Sequence, residues 1–207
     1  MDVFAEVART RHAVADQIDA LAAEDVARFD VDSWCAGWRC HDVLGHLVHL
    51  AEATQWTMMR DLVRNGPSPD KALGGRARAL GALPVPELTA RLRAAANGRF
   101  HIIGSPAIVA LGELFVHGSD LLRPLGEHVP ADPAAVAAVL PAYRRIGSLA
   151  FHGAPARKVT LVATDIEHRL GDGPEVRGTA LDLLLLLANR PQVLPALSGP
   201  GVELLRF

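Results

Sequence analysis

The stretch Pro106–Leu122, reading PAIVALGELFVHGSDLL, constrains everything else in the chain. Val109, Leu111, Leu114, Phe115, Val116 and Leu121 leave little of a helix surface polar, so the helix predicted here is mostly buried. Into that surface the sequence sets Glu113 and His117, four residues apart and therefore stacked on one face, with Asp120 a turn beyond on the same side. A polar group removed from water without a partner costs roughly 2–7 kcal/mol. Two arrangements meet that cost: Glu113 and His117 hydrogen-bond to each other, or a divalent metal takes both. The pattern supplies two ligands at most, so a metal requires another from elsewhere. It is not the His-Glu-x-x-His pattern, in which two imidazoles bind and the carboxylate acts as a base.

The rest of the chain narrows the class. Its 207 residues suffice for one large domain, or one domain and a small second one. Half the residues are hydrophobic and the net charge is only −2, which describes a globular protein with no polyanion-binding surplus. With 5% aromatic residues and no Lys/Arg run, nucleic acid is excluded as the expected partner. The N-terminal MDVFAEVARTRHAVADQ has no apolar signal core, and Leu181–Ala188 is too short to span a bilayer. The expectation is therefore a cytoplasmic protein without membrane association, acting as a monomer or dimer. Cys35 and Cys40 alone do not make a disulfide framework.

In chain order, the apolar spacing of Phe4, Val7, Val14, Ile18, Leu21 and Val26 predicts an amphipathic helix to about Arg28. A second helix starts at His41 or Asp42 and runs without a break to Gly66-Pro67. On it His46 borders the stripe of Val43, Leu47 and Leu50 and points to a bundle interior, whereas His49 turns roughly 60° further out, toward water. The Gly-, Pro- and Arg-rich 67–81 reads as a loop, and Pro86–Asn97 as a third helix. After Pro106–Leu122, Asp132-Pro133 opens a fifth helix that carries Pro141 and runs to about Phe151. Beyond Gly153-Ala154-Pro155 the pattern changes. A strand over Val159–Thr164, a hairpin of Ile166–Leu170 with Glu175–Arg177, a Leu-rich helix over Thr179–Asn189 and a last strand at Val202–Leu205 are predicted. The expected organisation is a mostly α chain, with a helical domain over 1–153 and a small α/β domain over 154–207.

Three candidate ligands on two helices result: His46, Glu113 and His117. Metal sites of this kind are built between facing helices of a bundle. Three protein ligands leave a coordination position open, the catalytic pattern, and two imidazoles with a carboxylate suit zinc as well as Fe(II) or Ni(II). Asp120 is either a surface carboxylate or an acceptor that fixes the tautomer of a ligating imidazole.

Trp38-Arg39-Cys40-His41-Asp42-Val43-Leu44-Gly45-His46-Leu47 resembles the GW-x-x-x-DVL-x-HL signature of the mycothiol-dependent maleylpyruvate isomerase family, in the DinB-like superfamily. Glu113 to Leu121 is similar to its second signature, E-x-x-x-HG-x-DL, and Leu161–Arg190 resembles the C-terminal domain of many members. The resemblance implies a DinB-like four-helix bundle and a divalent metal, usually zinc, on His46, Glu113 and His117. It implies a small thiol cofactor, mycothiol, whose thiolate adds to the double bond of maleylpyruvate and leaves after rotation. In thiol S-transferase relatives the thiolate instead stays attached to a small electrophile. Arg190 is the candidate substrate-binding cation, standing in Asn189-Arg190 where members often have Gly-Arg. Ser119 replaces a larger residue, Trp for one, which implies an altered pocket. Cys40 reads as a small buried residue, and Trp34 and Trp38 as core anchors. His101, His128, His152 and His168 read as ordinary loop or surface histidines. The competing reading is a non-catalytic, divalent-metal-binding helical bundle with a stress or regulatory role.

Overall fold

A computed structural model describes residues 1–65, 69–101, 103–150, 156 and 158–205. Two compact units divide the chain, Met1–Pro130 and Ala131–Phe207. The first contains helices α1 (Val3–Glu24), α2 (Cys40–Glu52), α3 (Gln55–Asn65), α4 (Pro69–Gly81), α5 (Val85–Ala94) and α6 (Ile108–Leu122). α1 and α2 each pack against both α5 and α6, which closes a four-helix bundle.

Local chemistry sets the ends of these helices. The Asp2 carboxylate accepts from the Phe4 and Ala5 amides at 3.0 and 3.2 Å, starting α1. Its stripe of Val7, Val14, Ile18 and Leu21 is buried. Asp42 accepts from the Arg39 amide at 3.0 Å and places a negative charge at the positive end of α2. α5 ends against a buried cation: Arg11 donates to the carbonyls of Ala95, Ala96 and Gly98 at 3.2, 3.0 and 2.8 Å. Burial lowers the Arg11 pKa to about 10, so it stays charged at neutral pH and meets carbonyls that the helix end leaves unpaired.

Two expectations for this unit are corrected. The single helix predicted from residue 41 to 65 is two, α2 and α3. At the break the Thr54 amide donates to the Thr57 hydroxyl at 2.8 Å and the Thr57 amide to the Thr54 hydroxyl at 3.1 Å, a reciprocal cap that opens a new helix. The predicted loop over 67–81 is helix α4 from Pro69 onward. Its glycines serve as contact surface. A Cβ on Gly45 of α2 would lie 2.4 Å from the Ala77 carbonyl oxygen, and one on Gly81 would lie 2.8 Å from that of His41. α2 and α4 thus pack backbone to backbone, and tertiary contact overrides poor intrinsic propensity. Gly45→Ala is expected to destabilise the first unit by about 1–3 kcal/mol through overpacking. A urea melt that matches the wild type would show that the two helices part at no cost.

The second unit contains α7 (Pro133–Ala150), β1 (Thr160–Ala163), β2 (Arg169–Leu170), β3 (Glu175–Gly178) and α8 (Ala180–Leu187). The Asp132 carboxylate accepts from the Ala134 amide at 2.9 Å, as expected for a cap before Pro133. α7, whose buried side includes Val136, Val139, Leu140 and Tyr143, packs against α8. α7 thus belongs to the compact unit that begins at Ala131. Gly153-Ala154-Pro155 and His152 lie outside the described residues. Nor do the two expected hairpin arms pair with each other. The sheet order is β2-β1-β3, with Leu161 opposite Leu170 in an antiparallel pair and Leu161 opposite Val176 in a parallel one. Val202–Leu204 is a short 3-10 turn, not a strand. Every residue of α8 is buried, and no helix among the described residues is long and apolar enough to cross a membrane.

α8 ends in a Schellman motif. The Asn189 amide donates to Leu186 at 3.1 Å and the Arg190 amide to Leu185 at 3.0 Å. Asn189 takes a left-handed φ of 61°, which explains why glycine or asparagine suits this position.

Candidate metal centre

From Leu111 to Leu122 every residue of α6 is buried except Glu113 and His117. One helical turn stacks these two, and His117 Nε2 lies 3.4 Å from Glu113 Oε2. The other ring nitrogen, Nδ1, lies 3.0 Å from Oδ2 of Asp120, which is fully buried. His117 is therefore held between two carboxylates. α2 brings His46 to the same place: the His46 and His117 rings meet edge-on, with centroids 4.7 Å apart and planes at 83°. His46 is buried, and its Nδ1 has no hydrogen-bond partner among the described residues.

Electrostatics splits the two imidazoles. Burial, reinforced by the like charge of His117, pushes the His46 pKa down to about 3. Burial also pulls His117 down, but its hydrogen bonds to Asp120 and then Glu113 outweigh that and hold it up at about 9. At neutral pH His117 carries a proton between two carboxylates, while His46 is a neutral base. In this arrangement no three His, Cys, Asp or Glu side chains among the described residues surround a common point at ligating positions. Glu113 is closed onto His117 instead. The donor set nonetheless suits a divalent cation: two imidazoles and a carboxylate on facing helices, one with a buried nitrogen that no described residue satisfies. Such a cation competes with the proton on His117, because an imidazole ligates only when neutral.

Other predicted residues find different places. His49 is buried, not turned to water, on a helix that packs against α4 and α5 as well as α6. Trp34 and Trp38 are half-buried and so are not core anchors; Trp38 lies edge-on to His46, with centroids 5.2 Å apart and planes at 77°. Cys40 is buried and donates to the Leu121 carbonyl at 3.3 Å, and burial pushes its thiol up to about 12. It is thus inert as a nucleophile. Ser119 is fully buried, its hydroxyl donating to the Phe115 carbonyl at 2.8 Å, so it is part of the α6 interior. Gly118 is required for packing: a Cβ there would lie 2.9 Å from Val129 Cγ2. Arg190 belongs to the second unit, where its guanidinium donates to the Ala188 carbonyl at 2.7 Å and closes the end of α8. His128 is exposed and His101 lies beside Phe4, ring centroids 6.1 Å apart. The position of Trp38 against His46 was not read from the sequence, since a tryptophan before a helix start carries no signal of which side chain it will face.

No protein-family model matches the chain, and no curated protein matches it in sequence. Two solved structures share its fold. One is a mycothiol-dependent maleylpyruvate isomerase, 16% identical with a TM-score of 0.60, covering 98% of this chain and 93% of its own. The other is a histidine-to-alanine mutant of a mycothiol-dependent maleylpyruvate isomerase, 15% identical with the same TM-score and coverage.

Proposed function

We propose that this chain is a metal-dependent, mycothiol-using enzyme of the maleylpyruvate isomerase family, with the metal on His46, Glu113 and His117. The observation that carries the reading is the meeting of the His46 and His117 rings beside Glu113, within a fold shared along almost the whole chain with that isomerase. A bound divalent metal, zinc in the first instance, supplies one thing here: it favours loss of the proton from a bound thiol, and so a nucleophile at neutral pH.

The chain's own residues do the rest. Asp120 Oδ2 holds a proton on His117 Nδ1, so that Nε2 is the nitrogen left to ligate once the metal displaces its proton and Glu113 turns from it. Burial keeps His46 neutral and ready to ligate. The buried remainder of α6 keeps water off the inner side of the site, while the Glu113 side chain, 32% exposed, leaves one side reachable. The partners are a small-molecule thiol and a small unsaturated or electrophilic acid, the outcome being either cis–trans isomerisation or S-transfer. Arg190 is not needed by this reading, since its guanidinium already serves α8.

A second reading, a metal-binding bundle without turnover, draws on the closure of Glu113 onto His117. Calorimetric titration of the zinc-loaded protein with mycothiol, with proton release followed in parallel, separates them. The enzyme reading expects micromolar binding and release of about one proton per site. Zinc-loaded protein that ignores mycothiol favours the non-catalytic bundle.

A further inference from the structure

The two imidazoles of the site are held by different means. His117 is oriented by a hydrogen bond to Asp120, the usual device for a histidine that must present one nitrogen. His46 has nothing comparable, its Nδ1 being buried without a partner among the described residues. Two rings stand edge-on to it, those of His117 and Trp38.

Trp38 is itself firmly placed. Residues 31–40 close on themselves before α2 begins. The Cys40 amide donates to Val31 at 3.0 Å, the Ser33 amide and hydroxyl donate to the Trp38 carbonyl at 2.9 and 2.8 Å, and the Trp38 amide donates to Cys35 at 3.0 Å. Gly37, at φ 77°, permits the turn between them. This closed loop is tied to α6 where the Trp34 amide donates to the Asp120 carbonyl at 3.0 Å and, at its end, where the Cys40 thiol donates to the Leu121 carbonyl at 3.3 Å. On its far side the indole meets α4, where a Cβ on Gly74 would stand 3.6 Å from the Trp38 ring.

We infer that Trp38 is a positioning residue, and that its indole, delivered by the loop over 31–40, sets the orientation of the His46 imidazole in place of a hydrogen bond. Asp120 then serves both imidazoles: its carboxylate orients His117, and its carbonyl anchors the loop that orients His46.

The test compares Trp38→Leu with Trp38→Phe. Phenylalanine keeps a ring edge against His46; leucine keeps apolar bulk without one. In the metal-free protein, histidine side-chain NMR should show His46 ring signals shifted and broadened in Trp38→Leu and restored in Trp38→Phe, with those of His128 unmoved in both. Zinc affinity, measured by competition with a chelator, should fall about 10–100-fold in Trp38→Leu and within about threefold in Trp38→Phe, the scale on which partners of metal ligands act. Unmoved His46 signals in a folded Trp38→Leu overturn the inference. The affinity arm rests on the metal reading and the ring arm does not: wild-type protein that takes up no zinc sinks the metal site and leaves the NMR comparison to decide on Trp38. Should Trp38→Leu not fold, nuclear Overhauser contacts between the indole and His46 ring protons in the wild type decide; their absence overturns the inference.

Discussion

His117→Ala and His46→Ala are each expected to lower zinc affinity by more than about 100-fold, beyond the 10–100-fold typical of a residue that only supports a ligand. Helical content should stay near that of the wild type. α6 is anchored by Leu111, Leu114, Phe115 and Leu121, all buried, and not by its imidazole. For His46→Ala the loss is of a neutral, buried base with an unsatisfied nitrogen, so removing it leaves no charge stranded. For His117→Ala the variant leaves buried Asp120 without the cation it faces, so that variant should also be the less stable of the two. His49→Ala is the comparison that matters. It should keep zinc while losing stability, because His49 is buried and the ring that meets His117 is that of His46. Stoichiometric zinc in both His46→Ala and His117→Ala, by metal analysis after gel filtration, would sink the proposed triad.

The metal-free protein should be most stable near pH 6.5 and weaker on either side. His117 binds its proton more tightly when folded, at about 9 against an ordinary 6.5. Its contribution is therefore complete below pH 6.5 and is lost as the pH rises through about 9. His46 behaves in the opposite sense: its folded value near 3 means that acid charges the unfolded chain first, so stability falls as pH drops from 6.5 toward 3. At about 1.36 kcal/mol per pH unit, the loss on the alkaline side is on the order of 3 kcal/mol. Urea melts between pH 5 and 10 check this. Asp120→Asn removes the first hydrogen bond that holds the His117 proton and should flatten the alkaline side selectively. A wild-type midpoint that stays level from pH 6.5 to 9 would show that His117 is not held charged.

The candidate site was more legible in the sequence than the fold around it. Glu113, His117 and Asp120 could be read together because helical periodicity is a local property, fixed by spacing within a few residues. The position of His46 against them needed only that two apolar stripes face each other. By contrast, α4 was invisible for a physical reason: Gly74, Gly75 and Gly81 argue for a loop by propensity, and only the close approach of α2 converts that argument into a helix. The strand pairing failed similarly. Glycines at 171 and 173 signal a turn, but whether the arms on either side pair with each other or with an earlier strand is decided by partners far along the chain. α7 has the composition of a bundle helix, so its place in the unit that begins at Ala131 shows only through its packing on α8.

One feature of α6 bears on how the site moves. The helix is sealed from solvent over its last three turns except at Glu113 and His117. Its backbone amides there have no local route to exchange with deuterium, so they should exchange only when the whole first unit opens. The two side chains that meet solvent are thus mounted on a backbone whose neighbours in the helix are all buried. Ligand entry by rotamers of Glu113 should leave the α6 amides silent, whereas entry that opens the loop over 31–40 should raise amide exchange in that loop.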